Sequence, residues 1–144
     1  MKKLKSKFNF VLSIGRLNNK AMSLSVLVGD KKIYEGSPKE STIYIDFDCE
    51  LPNQIVFEFG DKFINDTIVD KSGRIIQDKH IKIEKVSIDN MPVEQWIVES
   101  RLFEFVPKNN KTIHTNYFGY NGKAYMNIKN NDSFDYFLNL LAEK

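Results

Sequence analysis

The chain has a single cysteine, Cys49, among its 144 residues, so it can form no internal disulfide. Small folds that depend on a disulfide framework are therefore excluded, and a chain of this length can bury a hydrophobic core without one. Apolar runs are short. None approaches the ~18 residues that a membrane-spanning helix requires, so no membrane span is expected. The apolar stretch over residues 8–14 is interrupted by Asn9 and Ser13, which also excludes it as a signal-peptide core.

An excess of charge of one sign is lacking as well. The 21 basic and 19 acidic residues leave a formal net charge of +2. This balance gives no broad basic surface, so we expect no nucleic-acid partner. The one local excess lies at the N-terminus, where Lys2, Lys3, Lys5 and Lys7 predict a basic arm over residues 1–7. The arm is either a solvated tail or a contact for a negatively charged partner surface.

Motifs of the common enzyme classes are missing, including phosphate-binding loops, zinc-ligand spacings and nucleophile elbows. A cysteine–histidine pair would need Cys49 beside His80 or His114, and no local pattern supports it. We expect Cys49 to be a small buried apolar residue and His114 to lie on the surface of a strand. Glu58 and Glu104 are candidates for paired carboxylates, although such residues usually form the solvated face of a strand-rich chain. We therefore predict that the protein is not an enzyme.

Apolar and polar residues alternate through most of the chain, which is the pattern of half-buried strands. The runs cover residues 7–14, 22–28, 32–35, 42–47, 55–59, 81–88, 112–117 and 124–128. The two halves of the run 81–88 are out of phase, which predicts a bulge near Glu84 and Lys85. Roughly eight or nine strands at spacings of about 8–12 residues predict an all-β, antiparallel β-sandwich, with a jelly roll as the first choice of topology.

Helical periodicity is confined to the C-terminal end. Phe134, Phe137, Leu138 and Leu141 recur at i, i+3, i+4 and i+7, and Asp132 precedes them as an N-cap. We predict one domain over residues 1–144 with a short helix over residues 132–143. The helix either closes an open end of the sandwich or faces a neighbouring subunit.

An acidic loop separates two predicted strands within residues 55–90. The loop holds Asp66, Asp70 and Asp78, with Gly73 in the middle. Carboxylates in a loop braced by strands can bind Ca²⁺, which takes several oxygen ligands in a flexible cage. The same residue types also form ordinary turns. The three aspartates are therefore candidate calcium ligands, with a simple turn as the alternative.

The segment at residues 116–122, NYFGYNG, is rich in aromatic residues and glycine. If exposed, its rings can stack on sugars or anchor in a partner protein. If buried, the rings pack into the core at one end of the sandwich. We expect Phe118 to be buried, and we treat Tyr117, Phe118 and Tyr120 as the candidate residues for contact with a partner or a glycan.

Residues 78–90, DKHIKIEKVSIDN, resemble the D-R-N-L-Y-V-D-Y-I-x-V-D-G run of the calcium-dependent xylan-binding carbohydrate modules. Asp78 matches the first Asp of that run, and Ile81 and Ile83 match its apolar pair. Lys79 and His80 stand where the family has Arg and Asn.

Two upstream segments extend this resemblance. Residues 63–66 are similar to the family's F-x-N-D motif, and residues 23–36 are similar to its x-V-x-V-D-G hairpin. The resemblance covers about half of the chain. It implies a jelly-roll sandwich, Asp66 and Asp78 as calcium ligands, and a surface glycan as partner.

A second resemblance reaches from about residue 23 to the C-terminus. Small β-sandwich proteins of tailed phages, especially those of marine bacteria, carry an x-V-D-x-x-G-x-I-x-x-D-x-x-I-x-I run, which residues 68–83 match. Residues 118–122 are similar to their F-x-G-x-N-G turn, and residues 136–141 to their apolar C-terminal helix. This resemblance implies a virion component, with other virion proteins as partners in a homo-oligomer or a multi-copy lattice.

Two functions therefore compete. One is a non-enzymatic virion structural protein of a bacteriophage, in a capsid decoration, a tail or a fibre. The other is a calcium-assisted carbohydrate-binding module. We expect the first, located in the virion, because carbohydrate modules normally accompany a secreted enzyme and the sequence shows neither a signal peptide nor a catalytic domain.

Overall fold

The computed structural model of the protein describes residues 5–63, 67–108 and 111–142. Within these residues the chain forms thirteen strands and two helices. In chain order they are β1 (Lys5–Gly15), β2 (Ser23–Val28), β3 (Lys31–Gly36), β4 (Thr42–Glu50), β5 (Asn53–Gly60), β6 (Thr67–Val69), β7 (Ile75–Asp78), β8 (His80–Ile88), β9 (Met91–Pro92), α1 (Gln95–Ser100), β10 (Glu104–Pro107), β11 (Ile113–His114), β12 (Tyr117–Phe118), β13 (Gly122–Ile128) and α2 (Ser133–Ala142).

Two antiparallel sheets enclose the core. The first has the strand order β12-β8-β1-β4, with β9 paired to β8, and the second has the order β11-β10-β13-β5-β2-β3. A separate hairpin, β6-β7, lies between β5 and β8 in the chain. The predicted all-β antiparallel sandwich with a short C-terminal helix is confirmed. Among the described residues, no helix has the length and apolar character needed to cross a membrane.

The core follows from the alternation along the strands. In β1, Phe8, Phe10, Leu12 and Ile14 point inward, because neighbouring residues of a strand face opposite sides of a sheet. The ring of Phe10 meets the ring of Phe57 on the opposite sheet at a centroid distance of 5.3 Å. Aromatic contacts of this kind join the two sheets at the centre of the sandwich.

The predicted bulge is confirmed. Val11 of β1 pairs with Lys85 and Leu12 pairs with Ile83, so the register of the two strands skips Glu84. The extra residue shifts the alternation by one position. Val86 therefore faces the core, as Ile83 does on the other side of the bulge.

Residues 5–7 of the predicted N-terminal arm belong to a strand. Lys5 and Lys7 lie in β1, opposite Glu50 and Asp48 of β4. Residues 1–4 lie outside the described residues. The acidic residues of β4 give these lysines favourable cross-strand neighbours, so the strand begins earlier than the run of lysines indicates.

The restriction of helix to the C-terminus was wrong, because α1 precedes β10. It begins after Glu94 and buries Ile97 and Val98. On its exposed side the ring of Trp96 lies 4.6 Å from the guanidinium carbon of Arg101. A helix this short shows less than two turns of periodicity, too few for the sequence pattern to distinguish it from a strand.

The C-terminal helix α2 is confirmed, but its buried face differs from the predicted one. Asp132 caps it by accepting a hydrogen bond from the Asp135 amide at 2.8 Å. Tyr136 and Leu140 are its buried residues. Leu138 belongs to the predicted apolar stripe and is exposed, as are Phe134 and Leu141. Which side of α2 is buried depends on where the helix packs on the sandwich, and the helix sequence does not encode that position.

Cys49 lies on the inner face of β4 and is buried, as predicted. Burial, aided by the negative charges of Asp48 and Asp89, raises the pKa of its thiol to about 11. The thiol is therefore protonated and unreactive in the folded protein.

We expect the native protein to react with iodoacetamide at mildly alkaline pH roughly 100-fold more slowly than the urea-unfolded chain, because only the thiolate is nucleophilic. Mass spectrometry of timed samples measures the rate. Equal rates in the folded and unfolded protein would contradict the buried position of Cys49.

Candidate functional site

A cleft of about 500 Å³ opens beside the β6-β7 hairpin, where the end of β5 meets the loop between β12 and β13. Its lining combines aromatic, aliphatic and charged residues: Lys62, Phe63, Thr67, Ile75, Asp78, Pro107, Lys108, Tyr117, Gly119, Tyr120 and Asn121. An apolar cleft with a few convergent polar groups is the usual form of a small-ligand site.

Asp78, at the end of β7, is the polar centre of this cleft. Its Oδ1 accepts hydrogen bonds from Nζ of Lys62 and from Oγ1 of Thr67, the latter at 2.7 Å. Its Oδ2 accepts a hydrogen bond from the Tyr117 hydroxyl at 3.1 Å. The side chains of Lys62 and Asp78 are only 10% and 11% exposed. Both carboxylate oxygens of Asp78 therefore accept hydrogen bonds at a site with little access to water.

Lys62 connects this centre to the aromatic loop, defined here as residues 117–121. Its Nζ also donates to the Gly119 carbonyl oxygen and lies 5.8 Å from the centroid of the Tyr120 ring. Its backbone amide donates to Oδ1 of Asn121 at 3.0 Å, and its carbonyl oxygen accepts from Nδ2 of the same residue at 2.9 Å. Both the main chain and the side chain of Lys62 hold the loop.

Tyr117 stands at the wall of the cleft. Its ring stacks on His80, with centroids 4.7 Å apart. Burial, together with the negative charge and hydrogen bond of Asp78, raises the pKa of Tyr117 to about 12. The hydroxyl is therefore protonated at neutral pH and donates a hydrogen bond to Asp78. Tyr117 and Tyr120 remain 41% and 61% exposed, so both are accessible to a ligand.

Phe118 is fully buried, as expected, and is not at the surface. Its ring lies 4.5 Å from that of Phe59 and 5.1 Å from that of Phe105. Residues next to each other in a strand point to opposite faces, so β12 places Tyr117 outside and Phe118 inside. Of the three candidate contact residues, only Tyr117 and Tyr120 can reach a ligand.

Two of the candidate calcium ligands, Asp70 and Asp78, occupy separate surroundings. Asp70 lies in an exposed turn, where its Oδ1 accepts hydrogen bonds from both the amide and the hydroxyl of Ser72 and from the amide of Arg74. These hydrogen bonds, that of the Ser72 hydroxyl first, lower the pKa of Asp70. Asp70 thus forms the turn of the alternative interpretation. Asp66 lies outside the described residues.

The surroundings of Asp78 do not fit a calcium ligand. Ca²⁺ takes six to eight oxygen ligands, whereas both oxygens of Asp78 already accept hydrogen bonds, one of them from an ammonium group. Across residues 5–63, 67–108 and 111–142, no three His, Cys, Asp or Glu side chains are grouped to hold a metal ion.

Glu58 and Glu104 are not brought together. Glu58 of β5 pairs with Lys123 of β13 at 3.7 Å, while Glu104 lies on β10. Since β13 runs between β5 and β10, a whole strand separates the two carboxylates. They line different clefts, and a paired-carboxylate mechanism has no support here.

A second cleft of about 530 Å³ adjoins the first on the outer face of the second sheet. The two share Pro107, Lys108 and Asn121 in their walls. Tyr125 contributes an aromatic side chain to this second cleft. The two clefts are therefore adjacent, with these three residues between them.

Sequence reasoning missed Lys62, Thr67 and Asn121 as site residues. A lysine after a strand carries no local signal, and the Asn121-Gly122 pair reads as a turn. Asn121 is 59 residues from Lys62 in the chain. Only strand pairing places them in contact.

No protein-family model matches the sequence, and no curated protein matches it. Two solved structures are similar. One, described as vCBM60 in complex with galactobiose, has a TM-score of 0.52 and 12% identity, over 84% of this chain and 97% of that chain. The other is a selenomethionine form of vCBM60, from work on circular permutation between two families of calcium-dependent carbohydrate-binding modules. It has a TM-score of 0.53 and 12% identity, over 85% of this chain and 90% of that chain. The chain thus has the β-sandwich fold of a carbohydrate-binding module.

Proposed function

We propose that the protein is a carbohydrate-binding module that binds a glycan in the cleft beside Tyr117 and Tyr120. The observation that carries the proposal is the pair of accessible tyrosine rings next to a pre-arranged polar network. Similarity in fold to a module described in complex with galactobiose supports it.

The chemistry of the cleft suits a sugar. The apolar face of a sugar ring can pack on a tyrosine ring, and its hydroxyls need polar partners. The hydroxyl groups of Tyr117 and Thr67 both donate hydrogen bonds to Asp78. Their hydroxyl oxygens are left to accept hydrogen bonds from a sugar, because each has two lone pairs.

The size of the two adjoining clefts favours an oligosaccharide. The adjoining clefts, of about 500 and 530 Å³, provide room for several sugar units. Two of the lysines beside these clefts contact carboxylates, Lys62 with Asp78 and Lys123 with Glu58.

Replacing Tyr120 by alanine is expected to weaken oligosaccharide binding roughly 10-fold, which corresponds to about 1.4 kcal/mol, because a stacking surface is lost. Calorimetric titration with galactobiose and xylo-oligosaccharides, after affinity electrophoresis with soluble polysaccharides, measures the affinity. Tyr44→Ala is the matched control, since Tyr44 is a 70% exposed tyrosine on β4, at the opposite edge of the sheet from β12. Absence of binding across the panel, or equal weakening by Tyr44→Ala, contradicts the proposal.

The virion role stays a prediction that rests on the resemblance to phage sandwich proteins. It requires contacts with other virion proteins, for which the exposed residues Phe134, Leu138 and Leu141 of α2 offer an apolar face. Capsid or tail genes beside this gene would favour the virion role. A neighbouring gene for a secreted glycosidase would favour glycan binding alone.

A further inference from the structure

We infer that the ammonium group of Lys62 is the resident cation of this cleft, so the cleft is assembled without a metal ion. The Lys62 ammonium neutralises the Asp78 carboxylate. It also holds the aromatic loop over Asp78 by a hydrogen bond to the Gly119 carbonyl. The glycan arm of the experiment below rests on the proposed function, whereas its calcium and stability arms do not.

The contacts of Lys62 account for all sides of its ammonium group. An ammonium has three donors and no acceptor. Two acceptors, Oδ1 of Asp78 and the carbonyl oxygen of Gly119, belong to segments far apart in the chain. A third side faces the Tyr120 ring at 5.8 Å, a distance at which a cation is attracted to an aromatic face.

A divalent cation at Asp78 would compete directly with this lysine. The carboxylate has one strongly bound ammonium, and like charges at hydrogen-bonding distance repel strongly in a site with little water. The same position also holds two hydroxyl donors, from Thr67 and Tyr117. Calcium would have to displace the Lys62 ammonium, which would also break its hydrogen bond to the Gly119 carbonyl.

The loop is shaped for close approach to Lys62. Gly119 lies against the cleft, where an added Cβ would come within 3.1 Å of a Tyr117 ring carbon and 3.7 Å of the Lys62 nitrogen. The absence of a side chain lets Gly119 pack closely against the Tyr117 ring, while its carbonyl oxygen accepts a hydrogen bond from Lys62. Through this hydrogen bond and its place beside the Tyr120 ring, Lys62 acts as a positioning residue for that ring.

The test uses the full chain and four proteins: wild type, Lys62→Met, Lys62→Arg and the control Lys32→Met. Lys32 also pairs with a carboxylate, that of Glu35, but on an exposed strand. Calcium chloride alone is titrated into the chelator-treated proteins in a calorimeter. Unfolding temperatures are recorded in EDTA and in millimolar calcium. Oligosaccharide affinity is measured with the panel described above.

We expect no calcium heat from wild type, and the same unfolding temperature and glycan affinity in EDTA and in calcium. Lys62→Met should lower the unfolding temperature more than Lys32→Met and weaken glycan binding at least roughly 10-fold, with no recovery in calcium. Lys62→Arg keeps the charge and should retain the fold. If Lys62→Met does not fold, Lys62→Arg replaces it in the comparison with Lys32→Met.

Calcium heat from wild type, or a loss of stability or binding in EDTA, overturns the inference. The inference is also overturned if Lys62→Met has the same effect as Lys32→Met on both the unfolding temperature and the glycan affinity. A third result is possible: the wild type gives no calcium heat, Lys62→Met lowers the unfolding temperature, and no glycan binds. This result supports Lys62 as the resident cation and overturns the proposed function instead. The two failures are therefore distinguishable.

Discussion

Phe118→Ala is expected to lower the free energy of unfolding by about 3–5 kcal/mol, because it leaves a cavity in a densely packed aromatic cluster. The Phe118 ring is fully buried and contacts the rings of Phe59, Phe103 and Phe105. Urea unfolding followed by circular dichroism measures the change.

Tyr120→Ala is the matched control, since Tyr120 lies two residues away and is 61% exposed. Its change in unfolding free energy should stay within about 1 kcal/mol, as for most surface substitutions. If Phe118→Ala were as mild as Tyr120→Ala, the aromatic loop would not be anchored in the core as described.

Asp78→Ala is expected to lower the free energy of unfolding by about 3 kcal/mol, because it leaves the ammonium of Lys62 largely buried without its counter-charge. It also removes the acceptor for the hydroxyls of Thr67 and Tyr117. Urea unfolding at neutral pH measures the loss.

Glu35→Ala is the control for Asp78→Ala, because it breaks an exposed pair with Lys32 at 2.9 Å. Exposed pairs contribute about 0–1 kcal/mol, so this change should be small. Equal effects of the two substitutions would show that the pair in the cleft is as well solvated as one on the surface.

These two predictions describe one arrangement. The aromatic loop is fixed on its inner side by Phe118 in the core and on its outer side by Lys62 and Asp78. Between them, Tyr117 reaches from β12 to the carboxylate. A binding site built on such a doubly anchored loop is largely pre-organised, which lowers the cost of ordering it when a ligand binds.

The sequence by itself determined the elements that depend on local periodicity. Alternation predicts the main strands of both sheets, and its change of phase predicts the bulge at Glu84. The apolar character of Phe118 predicts its burial. These features depend on residues close together in the chain, so a reading of neighbouring positions is sufficient.

Tertiary structure alone decided the features that depend on distant partners. The short helix α1 and the buried stripe of α2 follow from where these segments meet the sandwich. At the cleft, the sequence singled out Asp78 and the tyrosines, but not their relation to Lys62. Lys62 lies 16 residues from Asp78 and 57 from Gly119. Their contact exists only because pairing of β12 with β8, in a different sheet from β5, brings the three segments to one end of the sandwich. Long-range pairing of this kind leaves no local pattern, which is why a lysine in the sequence cannot be recognised as the cation of a site.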